Sequence, residues 1–187
     1  MNSPTPVTTL SQPPCPNQAI EELPTGLEQI VLGKTTEEDV VKQLGQPQQR
    51  SRIDGLLQLW YDSPGGWITL KDDVVVEKSA YAGNSSRPLR EIIAHYGPPE
   101  QVILRITKSP QGRSTTFLLY PCQNLEFELP AELYSFTPDL RVVDGSKLMP
   151  GYFEEFLHRQ GLDGSYKLGE IKTITWPGFS ATPVPSK

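Results

Sequence analysis

Val40-Val41-Lys42-Gln43-Leu44-Gly45-Gln46-Pro47-Gln48-Gln49 and Ile92-Ile93-Ala94-His95-Tyr96-Gly97-Pro98-Pro99-Glu100-Gln101 align at a fixed offset. In each, two β-branched residues enter the end of a helix, an apolar residue precedes a glycine, and proline follows two places later. The physical instruction is the same in both: pack, stop, and turn into a strand. Glycine suits the left-handed geometry of a helix stop, and proline prevents resumption. Upstream of the first stop, Thr36 can cap a helix that has Asp39 three residues on, a variant of the capping box. Glu37, Glu38 and Asp39 put negative charge at the positive end of its dipole. The spacing predicts a helix between Gly33 and Pro47 and a second from Pro88 to Tyr96.

Strand patterns follow each stop. Leu57, Leu59 and Tyr61 alternate with Gln58 and Trp60. After the turn Ser63-Pro64-Gly65-Gly66, Ile68 and Leu70 alternate with Trp67, Thr69 and Lys71, and Val74-Val75-Val76 opens a further strand. In the second half, strands are expected over Val102–Ile106, Thr116–Tyr120 and Leu125–Leu129. Leu59-Trp60-Tyr61 answers Leu118-Leu119-Tyr120, so element order repeats along with the helix stops, as in an internal duplication. The fold expectation is α+β: two tandem helix-plus-antiparallel-strand repeats forming a curved sheet with helices on one face, plus a C-terminal helical extension. The units are a flexible Pro-rich arm (1–19), a first repeat (20–86), a second (87–134), an extension packed on the second (135–179) and a flexible tail (180–187). In the extension, Tyr152, Phe153, Phe156 and Leu157 form the apolar stripe of a short helix, and Ile171 and Ile174 suggest a last strand.

The run Leu32-Gly33-Lys34-Thr35-Thr36-Glu37-Glu38-Asp39-Val40, then Leu44-Gly45-Gln46-Pro47 and a Trp-Tyr strand, resembles the BamE/SmpA-type small outer-membrane lipoprotein family. It is also similar to the related β-lactamase-inhibitor-protein-like fold, in which such a unit is duplicated. The resemblance covers roughly residues 27–82 and, more weakly, 88–129. It implies helices on one face of an antiparallel sheet, binding of other proteins in the envelope or outside the cell, and no catalysis. The chain departs from the lipoprotein pattern in having no lipobox before Cys15 and in its region from about 135 to 179.

Composition narrows the function classes. Hydrophobic residues are 36% of the 187, well above the disordered range. The net charge of -5 comes without any Lys/Arg cluster, so a nucleic-acid footprint and a polybasic membrane patch are both missing. No apolar run approaches the roughly 18 residues needed to span a bilayer. Contact with a membrane is expected only through a lipid anchor that this stretch of chain does not carry. The expected location is extracytoplasmic, with the cytoplasm left open.

Chemistry-bearing motifs are absent: no nucleophile elbow, zinc-protease motif, Walker loop or dinucleotide fingerprint occurs. His95 and His158 sit near predicted helix C-termini, where cations are favoured, and suggest neither a metal site nor a catalytic base. Cys122 would need a base such as His95 to act as a nucleophile, and a cysteine-dependent enzyme is the least favoured function. Cys15 and Cys122 leave open a single disulfide or two free thiols; a bridge would tie the N-terminal arm to the second half of the fold. Glu126 and Glu128 alternate with Leu125, Phe127 and Leu129, which suggests the solvent side of a half-buried strand. With Leu59, Tyr61, Ile68 and Leu70 toward the helices, Trp60 and Trp67 face the other way, and Ile103 and Arg105 extend a binding patch on that face. The competing expectation is that the C-terminal segment covers it through Trp176 or Phe179. The favoured function is a monomeric, non-catalytic, cofactor-free module that binds another protein; a secreted enzyme inhibitor working through the same face is the alternative.

Overall fold

The computed structural model describes residues 26–63, 65–80, 87–107, 114–130, 136–163 and 169–179. The expected arm (1–19) and tail (180–187) lie outside them. Among the described residues there are three short α-helices, α1 (Glu37–Leu44), α2 (Leu89–Tyr96) and α3 (Phe153–Arg159). The strands are β1 (Gln49–Ile53), β2 (Leu56–Tyr61), β3 (Gly66–Lys71), β4 (Val74–Ala80), β5 (Gln101–Thr107), β6 (Thr115–Tyr120), β7 (Leu125–Pro130), β8 (Asp144–Leu148) and β9 (Gly169–Ile174). All nine join one antiparallel sheet in the order β1-β2-β3-β4-β8-β7-β6-β5-β9.

This corrects the expected α+β arrangement of two tandem helix-plus-strand repeats with an appended helical extension. The molecule is a single sheet-dominated unit, and the residues expected to form the extension are woven into it. β8 pairs with β4 on one side and β7 on the other, and β9 pairs with β5. A strand hydrogen-bonded on both edges makes the two halves one continuous ladder. β8 escapes a reading of sequence because Asp144-Gly145-Ser146-Lys147-Leu148 has neither β-branched residues nor an apolar alternation. β1 escapes it as a polar edge strand, Gln49-Arg50-Ser51-Arg52-Ile53, of a kind that resists edge-to-edge pairing.

The local devices at the helix stops are nonetheless closely alike. The Thr36 hydroxyl accepts from the Asp39 N–H at 3.3 Å, and the Asp39 carboxylate accepts from the Thr36 N–H, which completes the capping box of α1. Gly45 (φ 83°, ψ −166°) ends α1 and Gly97 (φ 79°, ψ −174°) ends α2. The Tyr61 hydroxyl donates to the Gly45 carbonyl at 3.2 Å, and the Tyr120 hydroxyl donates to the Gly97 carbonyl at 3.0 Å. Each stop is thus pinned to the end of a strand in its own half of the sheet. Both backbones lie in a region that is essentially restricted to glycine, and a Cβ at either position would meet nothing within 4 Å. Gly45→Val and Gly97→Val are therefore expected to destabilise through backbone strain alone, by about 1–3 kcal/mol each. Urea denaturation measures this, and an unchanged midpoint in either variant would show that the stop tolerates a side chain.

Both faces of the sheet are covered where β4, β8, β7, β6 and β5 run. On one face Val40 of α1 and Leu89, Ile92 and Tyr96 of α2 pack on Leu59, Ile68, Val75, Leu118 and Phe127. On the other, Tyr152, Phe153, Phe156 and Leu162 in and around α3 pack on Val76, Ile103, Phe117, Leu119 and Leu148. Every residue of the inner strand β6 is consequently buried. A register shift between Thr69 and Leu70 sets Glu77 opposite Thr69 and Lys78 opposite Ile68. Lys78 thereby reaches the carbonyls of Leu27 and Ile30 on the α1 side, while Glu77 turns to the α3 side.

Candidate functional site

The hairpin β2–β3 carries the two tryptophans. Trp60 and Trp67 stand directly opposite each other in register, with ring centroids 5.1 Å apart and planes tilted by 53°. Leu59 and Ile68, their neighbours in sequence, belong to the cluster under α1 and α2, so alternation sends both indoles to the opposite face. Both are half-buried. The Trp60 indole N–H donates to Asp62 Oδ1 at 2.7 Å, which fixes that ring's orientation. The result is a rigid aromatic pair with part of its surface open to solvent.

Ile103 and Arg105 do not extend this surface. Ile103 is 3% exposed and belongs to the α3 cluster. Arg105 lies over the Phe117 ring at 4.9 Å and donates to the Gln160 carbonyl at 3.2 Å. The reason is α3, which occupies that half of the face. The segment that covers it is therefore Tyr152–Leu162 rather than Trp176 or Phe179. Trp176 packs against Phe136, centroids 4.8 Å apart, and belongs to the α1–α2 side.

Cys122 follows Pro121 in a single 3-10 turn and is disulfide-bonded. Its N–H donates to Glu100 Oε1 at 3.0 Å. Cys15, the other cysteine, lies outside the described residues. A sulfur held in a disulfide is no thiolate, and nucleophilic chemistry at Cys122 would first require reduction. His95 makes an edge-on contact with Tyr96, centroids 4.6 Å apart. His158 lies 2.6 Å from Asp163 on the exposed side of α3. Among the described residues no group of three or more His, Cys, Asp or Glu side chains is arranged to hold a metal ion. An open depression of about 370 Å³ beside α1 is lined by Glu37, Glu38, Val41, Gln46, Arg50 and Asp73. Arg50 pairs with Glu37 there, and Asp73 Oδ1 accepts from the Glu37 N–H.

The carboxylates overturn one expectation. Glu126 is 4% exposed and does not lie on a solvated face. Alternation along β7 is real, but α3 and its flanks cover the side to which Glu126 points. Glu126, Glu128, Asp144 and Glu77 stand together on adjacent strands there. Burial is the main cause that pushes the carboxyls of Glu126 and Glu128 above the ordinary range, Glu126 strongly so. Burial likewise pushes Asp144 up to about 6, against the hydrogen bonds it accepts from Ser79 and the Gly145 N–H. The signal in the sequence that could have indicated this is Asp144-Gly145-Ser146, but only once β8 is known to lie beside β7.

No protein-family model and no curated protein matches the chain. Among solved structures it is similar to a DUF4309-family protein from Bacillus subtilis, at 15% identity over 68% of this chain and 88% of that one, with a TM-score of 0.41. An extracellular protein containing an SCP domain from Bacillus anthracis matches at 14% identity over 85% of this chain and 54% of that one, with a TM-score of 0.47. A cysteine-rich secretory protein from Staphylococcus aureus matches at 13% identity over 75% of this chain and 52% of that one, with a TM-score of 0.41. The chain spans about half the length of the latter two. None of the three is of the lipoprotein or inhibitor type that the helix-stop motif resembles. Likenesses this distant transfer no activity or partner. Among the described residues no helix is long and apolar enough to cross a membrane.

Proposed function

We propose that this protein is a non-catalytic, extracytoplasmic module that binds another protein through the Trp60–Trp67 face of the β2–β3 hairpin. The observation that carries the reading is the indole pair itself. Two half-buried tryptophans, one oriented by a hydrogen bond to Asp62, stand on the side of the hairpin opposite α1 and α2. Tryptophan is among the residue types most enriched where binding energy concentrates, because it buries much area at little entropic cost. The rings are held before any partner arrives, which lowers the ordering cost of association. The extracytoplasmic location is supported by the disulfide at Cys122, since such bonds persist in oxidising compartments and are rare in the cytosol.

The test is Trp60→Ala together with Trp67→Ala. Both rings are partly solvated and lie outside the two buried clusters, so the double variant should keep a melting temperature within a few degrees of the parent. Its affinity for a partner captured with the parent protein and then purified should fall by at least about thirtyfold, the scale of one hot spot. Equal affinity of the two forms would remove the face from consideration. Unfolding of the double variant would show the indoles to be core.

A further inference from the structure

The side of β4, β8 and β7 that faces α3 holds more acid than a buried surface ordinarily tolerates. Register sets Glu126 opposite Ser146, Glu128 opposite Asp144, and Ser79 opposite Ser146. The Ser146 hydroxyl donates to Glu77 Oε1 at 3.2 Å and the Ser79 hydroxyl to Asp144 Oδ1 at 2.6 Å. Glu126 Oε2 is buried and makes no hydrogen bond, and Ser146 on the neighbouring strand is the group whose hydroxyl works against the effect of burial on the Glu126 carboxyl. From α3, Arg159 pairs with Glu77, while its buried Nε and Nη1 make no hydrogen bond. From β5, the Arg105 charge acts on Glu128. Of the other ionisable groups of α3, Glu154 is exposed, Glu155 pairs with Lys71 at 2.6 Å while its charge also acts on Arg159, and His158 pairs with Asp163. Tyr152, just ahead of α3, has its hydroxyl buried without a partner. The ledge thus faces a helix that answers Glu77 and offers nothing to Glu126.

We propose that this ledge is a pH-sensitive latch, in which protonated Glu126 and Asp144 allow α3 to lie on the sheet and their ionisation loosens it. The latch concerns how the fold is held and is independent of the binding role of Trp60 and Trp67. A neutral carboxyl can be buried at little cost, whereas a second and third negative charge beside Glu77 cannot. With α3 lifted, water reaches the ledge and its carboxyls ionise in their ordinary range, near pH 4.5 for Glu126 and near 3.8 for Asp144. Above that range the closed form binds more protons than the open one. Its advantage must then shrink as pH rises, until the closed-form groups have themselves ionised. Asp144, pushed up to about 6, accounts for the lower part of this window, and Glu126, whose carboxyl stands well above the ordinary range, for the upper part.

Hydrogen exchange of the full chain, followed by mass spectrometry between pH 5 and 9 and corrected for intrinsic rates, tests this. Protection in peptides covering residues 152–163 should fall by at least about tenfold from pH 5 to pH 8, the scale of one linked proton over one pH unit. Peptides from β2 and β3 should hold theirs. In Glu126→Gln combined with Asp144→Asn, which mimic the neutral forms, the fall in α3 should shrink to less than about threefold. Should that variant fail to fold, Glu126→Gln alone must flatten the profile above pH 6. Protection of α3 that is constant with pH, a loss shared equally by β2 and β3, or an undiminished fall in the Gln variant would each overturn the latch.

Discussion

Arg159→Met should cost about 3–5 kcal/mol of stability, among the largest effects of any surface-adjacent change in the molecule. Arg159 pairs with Glu77 across the interface between α3 and β4, and their side chains are 13% and 8% exposed. Removing the guanidinium leaves Glu77 among Ser146, Glu126 and Asp144 with no cation of its own. A buried charge that loses its partner is far more costly than one that never had to be buried. The variant would also release α3, whose Phe153 and Phe156 cover Phe117 and Leu119. Guanidinium titration followed by circular dichroism reads the loss. Adding Glu77→Gln to Arg159→Met should recover a good part of it, because the uncompensated charge is gone. A loss below about 1 kcal/mol for the single variant would mean that water, not Arg159, satisfies Glu77.

Phe127→Ala should cost a comparable 3–5 kcal/mol or so, for a different reason. Phe127 is fully buried on β7, with the rings of Tyr96 and Tyr120 5.6 and 5.8 Å away. Those neighbours belong to α2 and β6, and Tyr120 is tied through its hydroxyl to the Gly97 carbonyl. The cavity left by alanine therefore cannot collapse without moving a helix stop. The variant should lose both the burial of the ring and the contacts that lined it. The same truncation at Phe179, which is 43% exposed, should cost less than about 1 kcal/mol. Thermal melts of the two variants side by side make the comparison, and equal losses would contradict the burial assignment.

Much of the secondary structure is legible in short windows. The capping box at Thr36 and Asp39, the stops at Gly45 and Gly97, and the alternation of Leu57, Leu59 and Tyr61 all lie where their sequence patterns predict. The failures have a common form. β8 has no apolar alternation because Ser146 and Asp144 face an acidic ledge and Gly145 carries no side chain. The burial of Glu126 looks like solvation when β7 is viewed alone. Ile103 and Arg105 look available until α3, some fifty residues further on, is laid over them. The likeness of the two helix ends also suggests two separate units, although the ladder from β4 through β8 to β7 makes them one.

Helix ends, turns and the period of each strand follow from backbone geometry and from hydrogen bonds spanning a few residues, so the residues that cause them sit next to each other in the chain. Strand neighbours, the face that α3 covers, and the company kept by Glu126 arise from pairing between distant segments. Burial and charge at such a place are properties of the assembled sheet, and they come into being only when β8 slots between β4 and β7.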